Sequence, residues 1–350
     1  MRIGSRSFLP ANAVLELTYR CNHSCSFCSC PWFGAGRGFK VLPELTTDDW
    51  KEVIGILCDN GVSALAFTGG EALLRDDCLE LLEYAASLSA SRVETVDGTL
   101  VSREVTPDIY LLSNGYHVDD RVMEVLARLG IKLSLSLPGL STFRHHTGFD
   151  HADLVLEKFR KAGEMGIPTT VNSTVTALNL HELRNTLTAA FIAGAGQLLM
   201  NRFLPGGRGL LNSNELSLDS DQVLEMLTTA DDVLTRAGRV GTLGTEMPLC
   251  IVKDLKLRTL RVGTRCSAAL KFFVVGPSGF VRVCNHSEKR LENVREWKKL
   301  KDNDYWRIFT MRRYLPSQCG GCELKLDCDG GCREAAHIVG GKVDSPDPLL

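Results

Sequence analysis

The sequence predicts an α/β protein with a parallel sheet, either open or curved into a partial barrel, and a separate cysteine-rich C-terminal region. Two observations predict it. Six short apolar or β-branched segments alternate with six segments of helical pattern through the first two thirds of the chain. Thirteen cysteines in 350 residues are concentrated towards the two ends and are absent from residues 79–249.

Each predicted strand is followed by a helix, as the connection between parallel strands requires. Several helices begin at Thr or Asp residues, which cap helix N-termini. The predicted strands are Val14–Leu17, Ala64–Thr68, Tyr110–Ser113, Leu133–Leu137, Thr169–Val175 and Leu198–Phe203. The predicted helices are Asp48–Leu57, Asp77–Ser87, Asp119–Leu129, Ala152–Glu164, Leu180–Ile192 and Leu218–Ala237. Residues 91–106 interrupt the alternation and are interpreted as an insertion, a small hairpin around Asp97-Gly98.

The composition restricts the class of protein. Hydrophobic content of 44% and charged content of 23% are normal for an ordered globular chain, and a net charge of −2 argues against nucleic-acid binding. The longest nearly apolar run, Leu187–Met200, is shorter than the roughly 20 residues that cross a bilayer. Glu16 and Arg20 interrupt any N-terminal signal peptide. We therefore expect a soluble cytoplasmic protein with no nucleic-acid or membrane partner, whose cysteines serve metal or redox cofactors.

The first cysteine cluster has the spacing CxxxCxxC, formed by Cys21, Cys25 and Cys28 directly after the first predicted strand. If Cys30 turns away, three thiolates leave one iron of an iron–sulfur cluster open to an outside ligand. A structural zinc site instead takes four protein ligands. Three ligands with an open position are typical of a catalytic site.

The segment from Leu17 to Cys28 resembles the signature of radical S-adenosylmethionine (SAM) enzymes. In that family the CxxxCxxC loop holds a [4Fe–4S] cluster, and SAM binds the open iron through its amino and carboxylate groups. The resemblance implies that Phe27 lies near the adenine and that Cys30 is a spare thiol near the site. A zinc knuckle is the alternative interpretation.

Further segments resemble the family's SAM contacts. Gly69-Gly70-Glu71 follows the second strand, as does the family's GGE stretch, which binds the SAM amino group. Pro138 stands where many relatives carry Asp near the SAM ribose. The remaining implied contacts, to the ribose, the adenine or the SAM carboxylate, are Ser113, Asn114, Ser136, Asn172 with Ser173, and Arg202.

The C-terminal cysteines have the order C…Gx4C…CxxCx5CxxxC, which resembles the SPASM domain, an extension that holds auxiliary [4Fe–4S] clusters. The two resemblances together imply a partial (β/α)6 TIM-type barrel over residues 1–240 and a SPASM domain over residues 241–350. The implied ligands of a first auxiliary cluster are Cys250, Cys266, Cys284 and Cys332. The implied ligands of a second are Cys319, Cys322 and Cys328.

The fourth ligand of the second auxiliary cluster is left open by the sequence. Relatives use a cysteine about seventeen residues past Cys332, where this chain has Leu350. An open iron is one alternative, and a partly built second site is another. The candidate non-cysteine ligands are Asp344, Asp347 and His337.

The resemblance implies an enzyme that cleaves SAM reductively to a 5′-deoxyadenosyl radical, which takes hydrogen from a substrate C–H bond. Maturation of a ribosomally made peptide or protein is favoured. The alternatives are radical oxidation or epimerisation of a small metabolite, such as a sugar or antibiotic precursor, and a non-catalytic iron–sulfur electron-transfer protein.

The expected partners are the substrate and a reductant such as flavodoxin or ferredoxin. Because the first strand begins near Val14, a peptide substrate is expected to need either a separate recognition protein or direct contact with the surfaces of the barrel and the SPASM domain. Sulfatase-maturing relatives carry an Asp that acts as the proton-accepting base at the position where this chain has Asn285. The substitution disfavours sulfatase maturation as the activity of this chain. His286 follows Asn285 and is a candidate catalytic residue.

Overall fold

The computed structural model describes residues 8–34, 38–96 and 99–350. Its strands are short, most of them two to seven residues long. They are β1 (Asn12–Glu16), β2 (Ala64–Thr68), β3 (Ala90–Val96), β4 (Thr99–Val105), β5 (Asp108–Ser113), β6 (Lys132–Ser136), β7 (Thr169–Val175), β8 (Gln197–Arg202), β9 (Gly241–Leu243), β10 (Leu260–Arg261), β11 (Phe272–Val275) and β12 (Val281–Arg282).

The helices alternate with these strands up to α8 and are short beyond it. They are α1 (Thr47–Asp59), α2 (Cys78–Ser87), α3 (Asp120–Leu129), α4 (Phe143–Thr147), α5 (Ala152–Glu164), α6 (Leu183–Ile192), α7 (Ser213–Leu216), α8 (Ser220–Ala237), α9 (Leu249–Val252), α10 (Asp304–Thr310) and α11 (Arg333–Gly340). Within the described ranges, no helix is both long and apolar enough to cross a bilayer.

Six parallel strands form the barrel. β1, β2, β5, β6, β7 and β8 pair in that order, and each is followed by one of the helices α1, α2, α3, α5, α6 and α8. The predicted partial (β/α)6 barrel is confirmed, and the predicted strands and helices agree with the observed ones to within two residues at most ends. The predicted helix Leu180–Ile192 differs, because its first turn, Leu180–Glu182, is a 3-10 turn.

The insertion is the predicted hairpin, since β3 and β4 pair antiparallel from Ala90↔Val105 to Val96↔Thr99. The predicted turn residues Asp97-Gly98 lie outside the described residues.

Residues after 240 add strands to both edges of the barrel sheet. On one edge β9 pairs with β8 and β10 with β9, while on the other β11 pairs with β1 and carries β12. The sheet that contains the barrel strands and these four added strands therefore has ten strands within the described residues. The division of the chain at residue 240 remains a prediction.

Buried side chains in register hold the sheet together. Leu15 of β1 lies beside Phe67 of β2, which lies beside Leu111 of β5 and then Leu133 of β6, and all four are buried. Burying such side chains contributes about 1.5–3 kcal/mol each. This layer fixes the relative heights of the strands, and so places their carboxyl ends around one opening.

Helix ends follow the sequence signals. Thr46 caps α1 by accepting a hydrogen bond from the Asp49 N–H at 3.2 Å, and the Asp49 carboxylate accepts from the Thr46 N–H at 2.9 Å. Asp219 and Gln222 form the same reciprocal cap at α8. Each such cap contributes about 1 kcal/mol, and the two helices begin within two residues of the predicted positions.

Candidate active site and cysteine sets

A cavity of about 500 Å³ lies at the carboxyl ends of the barrel strands, and we call it the main cavity. Side chains from the ends of β2, β5, β6, β7 and β8 contribute to its wall. Active sites of (β/α) barrels occupy this end of the sheet. The cysteines that line it are Cys21, Cys25, Cys28, Cys30, Cys266, Cys284 and Cys332.

The CxxxCxxC loop is held in place by its own backbone and by α4. The Cys28 N–H donates to the Cys25 carbonyl at 3.2 Å. The N–H groups of Ser24 and Ser26 donate to the carbonyls of Thr147 and His146 at 3.1 and 2.8 Å. The structure therefore brings together the three predicted cluster ligands on a loop that is docked against the barrel.

The protonation of these thiols depends on what binds them. Burial raises the pKa of Cys21 to about 11 and that of Cys25 further still. Thiols with such pKa values keep their protons at neutral pH unless a metal takes the proton's place. Three thiols on one loop that line one cavity are the kind of donor set that holds an iron–sulfur cluster.

Arg208 lies beside this loop and was missed by sequence reasoning. Its guanidinium donates to the Cys25 carbonyl at 3.2 Å and stacks on the Phe33 ring at 4.7 Å. The charge also lowers the pKa values of Cys21, Cys25 and Cys28, which opposes the effect of burial on all three thiols. The only sequence signal was an arginine in the glycine-rich segment after β8.

Cys30 lies next to the third thiol of the loop. A hydrogen bond between the two side chains lowers the pKa of Cys28 and raises that of Cys30. Cys30 also lines the main cavity. It is placed where the sequence analysis predicts a spare thiol.

Glu71 presents a buried carboxylate to the main cavity. It accepts hydrogen bonds from the Asn114 N–H at 2.9 Å, the Ser113 hydroxyl at 3.0 Å and the Leu73 N–H at 3.3 Å. Burial raises its pKa, these hydrogen bonds oppose the rise, and no cationic side chain of the described residues contributes. A buried carboxylate with only neutral donors fits a cationic ligand group such as the SAM ammonium.

The two glycines before Glu71 serve backbone packing. A Cβ on Gly70 would lie 2.2 Å from the Arg20 carbonyl oxygen and 3.0 Å from the Cys21 Cβ. Gly69 has a φ of 143°, and its Cβ would lie 2.7 Å from the Thr18 carbonyl oxygen. Gly70 lines the main cavity, whereas Gly69 is not among the lining residues. These glycines let the end of β2 approach the cysteine loop.

Most other predicted SAM contacts reach the main cavity. Asn114 is also tied to the cysteine loop, because its side-chain amide donates to the Asn22 side chain at 2.8 Å. Ser173 is buried and is not among the lining residues. The predicted contacts that line the cavity are Phe27, Gly70, Glu71, Ser113, Asn114, Ser136, Asn172 and Arg202.

Arg202 is engaged differently from the prediction. Its guanidinium donates to the Asp347 carboxylate at 2.6 Å and to the Glu246 carbonyl at 3.3 Å. Its Nε has no hydrogen-bond partner within the described residues. The contacts that Arg202 makes within the protein are therefore structural, and its Nε has no partner there that would compete with a SAM carboxylate.

Three C-terminal cysteines, Cys266, Cys284 and Cys332, share the main cavity, and we call them the first set. Two carboxylates of the same wall lie close to these thiols, the buried Glu334 and the half-buried Glu246. Burial raises the pKa values of the three thiols, and repulsion from Glu246 or Glu334 raises them further. Sequence reasoning missed both glutamates, because no motif distinguishes them.

Four cysteines surround a second, smaller cavity of about 30 Å³ and are called the second set: Cys250, Cys319, Cys322 and Cys328. The Leu249 N–H donates to the Cys328 sulfur at 3.3 Å. Burial raises the pKa of Cys319, and repulsion from Cys328, Cys322 and Cys250 adds to it. Cys250 thus lies in the wall of the smaller cavity and is not among the residues that line the main cavity, where the sequence analysis groups it with the first set. The ligand sets stay a prediction.

The predicted oxygen and nitrogen alternatives for the second set lie elsewhere. Asp347 is buried against Arg202, and His337 contacts the Tyr305 hydroxyl at 2.9 Å. Asp344 is exposed. Of these three, none lines the smaller cavity.

Thiol spacing bears on the zinc alternative. In the described part of the chain, no three His, Cys, Asp or Glu side chains are arranged to hold a single metal ion. Such a grouping is what a zinc ion, bound at about 2.3 Å from each sulfur, requires.

His286 lies in the wall of the main cavity. Its Nε2 is 3.0 Å from the Pro205 carbonyl oxygen, so this nitrogen carries the proton and donates it. Burial lowers the pKa of the ring, which is therefore neutral near pH 7 and keeps Nδ1 as its one proton-accepting atom. The predicted catalytic role of His286 stays a prediction.

The family follows from a comparison of the whole N-terminal half. A family model described as the radical SAM superfamily matches residues 15–190, the part that holds the CxxxCxxC loop and Glu71. The chain belongs to the radical SAM superfamily. Its cofactors are accordingly a [4Fe–4S] cluster and SAM.

Relatives match along nearly the entire chain. A PqqA peptide cyclase of Granulibacter bethesdensis is 28% identical over 356 residues, which cover 97% of this chain and 86% of that protein. An AdoMet-dependent heme synthase of Methanosarcina barkeri is 25% identical over 362 residues, covering 97% and 95%.

Solved structures of radical SAM proteins share the fold. SuiB of Streptococcus suis bound to S-adenosylmethionine superposes with a TM-score of 0.69 at 16% identity, covering 97% of this chain and 77% of SuiB. SuiB bound to its precursor peptide SuiA superposes with a TM-score of 0.68. The chain is therefore a radical SAM enzyme, and its fold is that of SuiB over nearly its whole length.

Proposed function

We propose that this enzyme cleaves SAM at a cluster held by Cys21, Cys25 and Cys28 and directs the resulting radical at a C–H bond of a ribosomally made peptide. The observation that carries the radical chemistry is the shared cavity: three thiols that leave one ligand position free face the same space as the uncompensated carboxylate of Glu71. When bound, the cluster and SAM supply a radical that removes hydrogen from an unactivated C–H bond.

The chain's own residues bind and orient SAM and keep water away from the reacting atoms. The Glu71 carboxylate accepts hydrogen bonds from the ammonium group of SAM. The Ser113 hydroxyl and the Asn114 N–H donate to the same carboxylate and so fix its orientation towards the cavity. Phe27, which packs 5.7 Å from the His146 ring, offers an apolar face to the adenine. The apolar groups in the wall exclude water, which would otherwise react with a radical.

A peptide substrate is supported by what the relatives are named for. PqqA peptide cyclase matches almost the whole chain, and SuiB binds a precursor peptide. The first set adds a second group of thiols to the cavity, which fits an auxiliary iron–sulfur cluster near the substrate. A one-electron reductant such as flavodoxin or ferredoxin and a separate peptide-recognition protein complete this proposal.

SAM cleavage tests the radical chemistry. Protein reconstituted anaerobically with iron and sulfide, then reduced with dithionite, should release 5′-deoxyadenosine from SAM. The combined variant Cys21→Ala, Cys25→Ala and Cys28→Ala should release none. Cys58→Ala is the matched control, because Cys58 lies in the core and lines neither described cavity. Release of 5′-deoxyadenosine by the triple variant would contradict the assignment.

A small-molecule substrate is the second candidate, favoured by the full-length similarity to an AdoMet-dependent heme synthase. The two substrates are separated by measuring 5′-deoxyadenosine release with each added compound. Peptides encoded beside the gene should accelerate release and change in mass if the first proposal is right. Acceleration by a heme precursor, with no change in any such peptide, would support the second.

A further inference from the structure

We infer that Cys250 completes the second set, so that Cys250, Cys319, Cys322 and Cys328 form a four-thiolate site. The first set then keeps only Cys266, Cys284 and Cys332, and its free ligand position belongs to the main cavity. The inference rests on the proposed auxiliary iron–sulfur clusters. It departs from the ligand sets that the resemblance implies, in which Cys250 joins the first set.

The local structure ties Cys250 to the second set. The α9 helix begins at Leu249, whose N–H donates to the Cys328 sulfur at 3.3 Å. The Gly330 N–H donates to the same sulfur at 3.2 Å. Hydrogen bonds from backbone N–H groups to sulfur stabilise thiolate ligands of iron–sulfur clusters. The residue after Leu249 is Cys250, which lines the same small cavity as the other three cysteines.

The cysteines of the first set are held by other hydrogen bonds and do not share a cavity with Cys250. The Cys266 N–H donates to the Asp329 carboxylate at 2.7 Å, and the Cys332 N–H donates to the Asp347 carboxylate at 2.6 Å. Cys328 and Cys332 are four residues apart, yet they line different cavities. Cys250 is not among the residues that line the main cavity. The two sets are therefore divided between two spaces.

The chemical consequence concerns the class of ligand that the first set accepts. Three thiolates leave one iron of a [4Fe–4S] cluster without a cysteine. The space beside them also holds the cysteine loop and Glu71, so a ligand at that position shares the cavity with SAM. Thiolate, carboxylate and imidazole groups bind iron, and a substrate side chain of this kind is the ligand we assign.

Iron content in paired variants tests the ligand sets. The background is the chain with Cys21→Ala, Cys25→Ala and Cys28→Ala, in which SAM cleavage plays no part. It should hold roughly eight irons if both auxiliary clusters are present. Cys328→Ala should lower this to about four, and adding Cys250→Ala should lower it no further. Cys266→Ala with Cys250→Ala should lose iron from both sites.

The inference would be overturned by the opposite pattern of iron loss. In that pattern, adding Cys250→Ala to Cys328→Ala removes more iron, whereas adding it to Cys266→Ala removes none. Failure of the proposed function shows separately, as a lack of 5′-deoxyadenosine from wild-type protein that holds all its iron. Cys58→Ala controls for general effects of removing a buried thiol.

Alkylation of wild-type holoenzyme provides a test that needs no variant. The Cys250 residue is exposed, so an unligated thiol there should react with iodoacetamide. We expect Cys250 to be protected together with Cys319, Cys322 and Cys328, and all four to react after iron is removed. Alkylation of Cys250 while the other three stay protected would overturn the inference.

Discussion

The Arg202 guanidinium donates a 2.6 Å hydrogen bond to the Asp347 carboxylate, and both side chains are almost completely buried. Asp347 also accepts the N–H of Cys332 at 2.6 Å. One carboxylate therefore connects the end of β8 with a cysteine of the first set. The position of that set relative to the barrel depends on this buried ion pair.

We expect Asp347→Asn to destabilise the protein by about 3–5 kcal/mol, because it leaves a buried guanidinium without its counter-charge. The free energy of unfolding in denaturant measures the loss. The EPR signal of the first set should shift as well, since the Cys332 backbone loses an ionised acceptor. Asp344→Asn is the control at an exposed carboxylate. Equal stability of both variants would contradict the prediction.

Glu71→Gln should weaken SAM binding by about tenfold or more, since a charge-assisted hydrogen bond contributes roughly 1.5–3 kcal/mol. Calorimetric titration of the reconstituted protein with SAM measures the affinity. Ser113→Ala removes one hydrogen bond to the same carboxylate without removing the charge, and should weaken binding less. An unchanged affinity in Glu71→Gln would argue against an ammonium ligand.

Gly70→Ala should prevent assembly of the cluster at Cys21, Cys25 and Cys28, because the added Cβ would lie 2.2 Å from the Arg20 carbonyl oxygen. We expect a loss of about four irons per chain with the auxiliary clusters retained. Gly163→Ala is the matched control in α5, where a Cβ would meet nothing within 4 Å. It should stabilise the helix by about 1 kcal/mol. Normal iron content in Gly70→Ala would refute the packing argument.

Glu182 should make the turn before α4 sensitive to pH. Its carboxylate accepts the N–H groups of Ser141 and Thr142 at 2.8 and 3.0 Å. Burial would raise the pKa of Glu182, but these hydrogen bonds and those from the two hydroxyls outweigh it and hold the pKa below the usual 4.5. A lowered pKa stabilises the fold above about pH 4.5, and this stability is lost as the pH falls through the folded-state pKa.

Glu182→Gln should therefore cost about 1.5–3 kcal/mol near pH 7. The difference in Tm between this variant and the wild type should narrow as the pH falls below about 4.5. Because both proteins are compared at each pH, acid effects on the clusters cancel. A difference in Tm that does not change with pH would exclude ionisation of Glu182 as its cause.

The barrel was predictable because its strands are short apolar or β-branched runs that alternate with helical patterns, and because α1, α3 and α8 begin at side-chain caps that act locally. The cysteine loop was predictable for the same reason, since its ligands lie within eight residues. Glu182 shows the limit: its side chain accepts hydrogen bonds from a turn forty residues earlier, a contact that its local pattern does not indicate.

The partners of Cys250 and Arg202 could not be derived from spacing. Cys250 lies nearer in sequence to Cys266 than to Cys328, yet the path of the chain after β9 places it beside Cys328. Arg202 lies at a strand end, where a ligand contact is a reasonable expectation, but Asp347 reaches it from 145 residues away. Both contacts depend on tertiary packing.

The pairing of β1 with β11 has a consequence for folding. Asn12 lies opposite Phe272, so the first barrel strand finds its second neighbour only after most of the chain has been synthesised. Contacts between residues so distant in sequence form slowly, because a long loop must close first. Until then β1 presents an unpaired edge, which can join to another chain. Once β11 is synthesised it covers this edge, so the C-terminal region protects the completed barrel from edge-to-edge aggregation in addition to holding cysteines.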